Sequence, residues 1–149
     1  MKNLAYLVAD CARNMRKLFD LRMRDDGITG PQARLLLTVR RKPGGQQGHY
    51  ATMLDVEPIT LCRMLDRMVE AQLLERRPDP ADRRARLVFP TSKGDALANR
   101  VEDSVAGFMG DMTDCFDADE IAQLDSALTK MAAQLEMLTA EEEREVANG

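Results

Sequence analysis

The apolar positions of this chain change period along its length. Leu4, Leu7, Val8, Cys11, Met15, Leu18 and Phe19 recur at helical spacing, which predicts an amphipathic helix over about residues 3–25. Asp25-Asp26-Gly27 stops it. Thr29-x-x-Gln32 has the form of a capping box. The helix it starts carries Leu35, Leu36 and Val39, then Arg40, Arg41 and Lys42 in its last turn, where cations complement the helix dipole. Pro43-Gly44-Gly45 reads as a turn and residues about 46–54 as a short helix. Pro58 opens another helix, reaching about Ala71, since proline is tolerated in a first turn.

That helix has two stripes. Leu61, Leu65, Met68 and Val69 form one, which belongs to a core. Thr60, Arg63 and Arg67 form the opposite one, rich in hydrogen-bond donors. The period then shortens: LLERR (73–77) and RLVF (86–89) are β-compatible, and the PDPADRRA between them supplies the turn formers Pro78, Asp79, Pro80 and Asp82. A hairpin with a basic tip results. Thr91 can cap a long helix through Leu97, Val101, Val105, Phe108 and Met112. Asp117-x-x-Glu120 is a second capping box, with Phe116 and Ile121 placed as a hydrophobic staple. Ile121, Leu124, Leu128, Met131, Leu135 and Leu138 advance in alternating steps of three and four. Such a heptad seam asks for a partner helix, in a second chain or in the preceding helix of this one. The polar close, residues 141–149, is expected to fray.

Helix, helix, short helix, turn, helix and hairpin is the order of a winged helix-turn-helix. The expected fold class is mainly α with a small β wing (α+β). A single domain is expected, with a DNA-binding lobe at about 28–95 between helices at about 3–25 and 96–140. In that geometry the helix that starts at Pro58 enters the major groove, and the hairpin tip follows the backbone or the minor groove.

The net charge of −4 over 149 residues argues against a nucleic-acid partner until it is resolved along the chain. Residues 1–99 carry 18 basic and 12 acidic side chains, a balance of +6; residues 100–149 carry 3 and 13, a balance of −10. The segment with the basic stripe is therefore the basic one. Sixteen of the 21 basic residues are Arg, the side chain suited to phosphates and base edges.

Other chemistries find little support. Cys11, Cys62 and Cys115 form no CxxC pair, and His49 is the sole histidine, so zinc sites, disulfide frameworks and histidine-based triads are unsupported. Phosphate loops of the form GxxxxGK[ST] or GxGxxG do not occur. No apolar run approaches the roughly 20 residues of a membrane helix. A cytoplasmic protein without enzymatic activity, cofactor, metal or membrane association is expected.

The stretch DVEPITLCRMLDRMVEAQLLERRPDPADRRARLVFPTSKGDAL resembles the core of the MarR family of transcription regulators, most closely its SlyA-type branch. The resemblance lies in Pro58, Thr60, Leu61, Arg63, Asp66 and Arg67, in the ERRPDPADRRA wing and in the Thr-x-x-Gly that follows. It implies a homodimer, held by its terminal helices through Leu4, Leu7, Val8, Cys11 and the seam from Ile121 to Leu138, that reads a pseudo-palindromic double-stranded DNA site. Carried over by position, Pro58, Ile59, Thr60, Arg63 and Arg67 face the major groove. Arg63 is the expected base reader, because a guanidinium can bond guanine O6 and N7 together. Asp82, Arg83 and Arg84 match the family's wing, with Asp82 expected to pair with Arg84 and Arg83 or Arg84 to enter the minor groove. Gln47 and Arg76 are further candidate phosphate contacts.

Gln72 replaces the family's usual glycine, at a cost of about 1 kcal/mol if the left-handed geometry is kept. Pro90 replaces a leucine, and Tyr50 stands where an aliphatic residue is common. The resemblance also implies release by a small aromatic or anionic effector, for which Arg13, Arg16 and Arg34 are weak candidates. Cys11 and Cys62 read as packing residues. The alternative function is a winged-helix module that docks proteins and has lost DNA binding.

Overall fold

The computed structural model describes residues 2–82 and 84–148. They form α1 (Lys2–Met23), α2 (Gly30–Arg41), β1 (Gly45–Gln46), α3 (Gln47–Leu54), α4 (Pro58–Glu70), β2 (Leu74–Pro78), β3 (Arg86–Pro90), α5 (Ser92–Thr113) and α6 (Ala118–Asn148). The chain divides into two compact units, residues 1–108 and 109–149, with the boundary inside α5. Helices with a small antiparallel sheet are the fold class that the periodicity predicts.

Two helix starts close on themselves as the sequence suggests. Before α2, Thr29 Oγ1 accepts from the Gln32 amide at 3.3 Å and Gln32 Oε1 from the Thr29 amide at 3.1 Å. Before α6, Asp117 and Glu120 exchange the same bonds at 2.9 and 3.0 Å. Each satisfies amides that a helix start would otherwise leave open.

The core of the first unit gathers one stripe from each element. Leu35, Leu36 and Val39 of α2, Tyr50 of α3, Leu61, Leu65 and Met68 of α4, Leu74 and Val88 of the hairpin, and Ala98 and Val101 of α5 are all buried. Further contacts hold the part of α5 up to Phe108 in the same unit: Ser104 donates to Asp26 at 2.7 Å, Arg40 lies 3.6 Å from Glu102, and Phe19 meets Phe108 edge-on at 6.2 Å.

Three sequence expectations need correction. Residues 45–46, read as a turn and helix start, are a third strand, giving the sheet order β1-β3-β2. Two residues are too few to show a period of two. Gly44, at φ 80°, donates to Val88 O at 2.9 Å and so brings the next two residues alongside β3. Second, α6 runs to Asn148 through the segment expected to fray, because Ala, Glu and Arg are good helix formers and no breaker precedes Gly149. Third, Cys11, read as a packing residue, is exposed within the single chain, beside the dimerisation candidates Leu4 and Leu7, also exposed, and Val8, half-buried. Within the unit it is the far end of α1 that reaches the core, through Met23.

Tyr50 has a role the pattern did not show. Its fully buried ring carries a hydroxyl that donates to Lys42 O at 2.6 Å and accepts from the Gly45 amide at 2.9 Å. It thereby serves both the end of α2 and the start of β1. Gln72 keeps the left-handed conformation at φ 60° despite its side chain. The Thr91-x-x-Gly94 motif explains why α5 can start so close by. Thr91 Oγ1 donates to Gln72 O at 2.6 Å and accepts from the Gly94 amide at 3.0 Å, and Lys93 Nζ donates to Ala71 O at 2.8 Å. A Cβ on Gly94 would lie 2.0 Å from Leu73 O.

Two outcomes are expected in chemical denaturation at fixed protein concentration. Tyr50→Phe costs about 0.5–1.5 kcal/mol, because the part-buried bonds to the Gly45 amide and the Lys42 carbonyl are lost. Burial raises the Tyr50 phenol above its ordinary value, against the lowering effect of the Gly45 amide. The folded state then holds that proton more tightly than the unfolded chain. Stability contributed by Tyr50 is full below about pH 10 and falls as the pH rises past it, and Tyr50→Phe lessens that alkaline decline. Gly94→Ala costs at least about 2 kcal/mol, since the neighbour it meets is main chain that cannot turn aside.

Candidate nucleic-acid interface

The rotation of α4 about its own axis is set by Leu61, Leu65 and Met68, each 1% exposed or less. Residues three and four apart share a helix face, so Thr60, Arg63 and Arg67 point away from the core, and all three are exposed. Pro58 and Ile59 lie ahead of them in the first turn, also exposed. Ile59 is 60% exposed, and an aliphatic group left in water at the start of a basic face suits a thymine methyl. The first turn holds no acidic residue and Glu57 makes no side-chain cap, which leaves the positive end of the helix dipole open to a phosphate.

The start of α2 adds residues that the sequence reading did not assign to the site. A cleft of about 310 Å³ is lined by Thr29, Pro31 and Gln32 from the α2 start and by Thr60, Arg63, Met64 and Arg67 from α4. Thr29 and Gln32 signalled a helix start, and nothing in the linear pattern places that start beside α4.

The hairpin tip is shaped by its aspartates. Asp79 Oδ1 accepts from the Ala81 amide at 2.8 Å and Asp82 Oδ1 from the Arg84 amide at 2.9 Å, while the Ala85 amide donates to Asp82 O at 3.0 Å. The expected Asp82–Arg84 pairing is thus made through the Arg84 main chain, because two residues apart in a turn the amide is the donor within reach. The Arg84 side chain is exposed. Arg83, the other expected wing contact, lies outside the described residues.

The two arginines of β2 are engaged within the protein. Arg76 Nη2 donates to Asp66 Oδ1 of α4 at 2.7 Å, with 27% of its side chain exposed. Its guanidinium is therefore held against α4. Arg77, on the other face of the strand, stacks 4.4 Å over the Phe89 ring and bonds Glu75. The Cys62 thiol is half-buried, 3.9 Å from Asp66 Oδ2. Gln47 is exposed at the first position of α3.

The remaining expected residues lie outside this surface. Arg13 pairs with Asp10 at 2.7 Å on α1, Arg16 is exposed on the same helix and Arg34 is exposed on α2. In the second unit, Ile121, Leu124, Leu128, Leu135 and Leu138 are 38–57% exposed along α6, with Met131 half-buried. Among the described residues no group of three or more His, Cys, Asp or Glu could hold a metal ion, and no helix is long and apolar enough to cross a membrane.

Comparison with known proteins points the same way. A sequence profile of the MarR family matches residues 28–85. The multiple antibiotic resistance protein MarR of Escherichia coli K12 is 32% identical over 105 residues, which are 70% of this chain and 73% of that protein. The transcriptional regulator HosA of Escherichia coli O111:H- is 36% identical over 81 residues, which are 52% of this chain and 60% of HosA. A structure of a cysteine-to-serine mutant of Escherichia coli MarR with operator DNA superposes with a TM-score of 0.78 at 28% identity, covering 87% of this chain and 93% of that one. The transcriptional repressor CouR bound to a 23-mer DNA duplex superposes at 0.79 and 27% identity, covering 87% and 92%.

Proposed function

The chain belongs to the MarR family, and from that we propose that it is a homodimeric, sequence-specific DNA-binding transcription regulator, acting as a repressor. The observation that carries the proposal is the two-faced α4. Its buried stripe of Leu61, Leu65 and Met68 turns Pro58, Ile59, Thr60, Arg63 and Arg67 outward together. Arg63 and Arg67 read base edges, and the α2 start and Gln47 meet the backbone. Arg83 or Arg84 enters the minor groove from the wing. The chain works in the cytoplasm, without catalysis. The exposed seam of α6 and the exposed Leu4, Leu7 and Cys11 of α1 are covered by a second copy. Two lobes then read a pseudo-palindromic site. Release by a small aromatic or anionic effector belongs to the same reading. Arg13, Arg16 and Arg34, exposed as they are, form no enclosed seat for it.

Binding of the protein to DNA from upstream of its own gene, followed by fluorescence anisotropy over a salt series, tests this. Affinity should fall steeply with salt through counterion release. Arg63→Ala should cost about 1–3 kcal/mol of discrimination between that DNA and a shuffled sequence, while Arg84→Ala should weaken both and lower the salt slope by about one. A protein that shows no sequence preference at low salt, with both variants matching wild type, is instead the protein-docking module. The same samples should size as dimers at micromolar concentration; monomers would contradict the seam.

A further inference from the structure

Reading DNA with a helix and a hairpin at once requires the two to keep a fixed angle. The α4–β2 junction supplies one fixed point. Leu73 donates to Met68 O at 2.9 Å and Gln72 to Val69 O at 2.9 Å, and Thr91 and Lys93 hold the Gln72 and Ala71 carbonyls. Just beyond it, Leu74 packs into the core beside Leu65 and Met68, an apolar contact that sets spacing more than angle. The second tie lies farther out, where Arg76 Nη2 of β2 meets Asp66 Oδ1 of α4 at 2.7 Å, closing a loop between residues ten apart.

We propose that Asp66 and Arg76 are positioning residues for DNA recognition, their ion pair setting the angle between the reading helix and the wing. The assignment rests on α4 and the wing being the DNA-contacting elements. Asp66 lies between Arg63 and Arg67 in sequence, so an unpaired carboxylate there would repel phosphates from the reading face. Arg76 neutralises it while tying the strand down. The neighbouring Arg77 turns to the opposite face and stacks on Phe89, which leaves Arg76, among the described residues of the strand, as the one whose side chain makes a polar bond to α4. A half-exposed pair adds little to global stability. Holding a site in register needs only a small bias toward one angle, and the dimer carries the pair twice.

The test compares the full-length protein and its Asp66→Ala, Arg76→Ala, Arg76→Lys and double-alanine variants. Each is titrated against the DNA from upstream of its own gene and against shuffled DNA of equal length, with melting followed in parallel. Each single alanine variant should melt close to wild type yet lose about threefold to tenfold in the ratio of specific to non-specific affinity. The double variant should be no worse than the poorer single one, because both remove the same contact. Arg76→Lys, which keeps a cation beside Asp66, should recover most of the ratio. If Arg76 instead bonds a phosphate, Asp66→Ala frees it: specific binding tightens, the ratio stays at the wild-type value, and Arg76→Ala lowers the salt slope by about one with or without Asp66. That result overturns the proposal. A wild-type protein with no sequence preference overturns the DNA-binding reading itself and this one with it.

Discussion

The burial of Leu61, Leu65 and Met68 is the constraint on which the rest of the site depends. A helix with one apolar stripe can sit on a core in one rotation. Turning α4 by a single residue, about 100°, would expose side chains whose burial is worth about 1.5–3 kcal/mol each. The same three buried side chains that stabilise the lobe thus aim Thr60, Arg63 and Arg67, which are themselves exposed. Ile59 and Pro58 follow from the helix beginning where it does, and Pro58 suits that place because its missing amide is not needed there.

Around this helix the arginines divide their work. Arg76 and Arg77 leave β2 on opposite faces, one to Asp66 and one to Phe89 and Glu75. Arg84 is exposed at the tip, on a loop whose shape comes from Asp79 and Asp82 accepting main-chain amides. Acidic residues in this region therefore shape the surface without cancelling it. That is why a chain of net charge −4 can present a basic face: the +6 balance belongs to residues 1–99, which carry α4 and the wing.

Much of this was legible in the linear pattern, because local signals decide local structure. The 3.6-residue period placed α1, α2, α4, α5 and α6. The Thr29 and Asp117 boxes placed two helix starts, and the shortened period placed the hairpin. Gln72 is an instructive departure: the left-handed geometry survives without glycine because Thr91 and Lys93 hold the carbonyls on either side of the turn. Long-range pairings were not legible. The two-residue β1 exists through Gly44 and β3, the α2 start reaches α4 only in three dimensions, and Arg76 looked like a free cation until Asp66 lay beside it. The outward stripe of α1 looked like core because periodicity reports that a face is apolar and is silent on what covers it.

Hydrogen–deuterium exchange of the protein, alone and with DNA from upstream of its own gene, tests the central claim most directly. The account predicts slowed exchange in the first turns of α4, at the start of α2 and at residues 79–86 of the wing, and no such change with shuffled DNA at matched salt. Protection confined to α1 and α6, or equal protection by both DNAs, would contradict it.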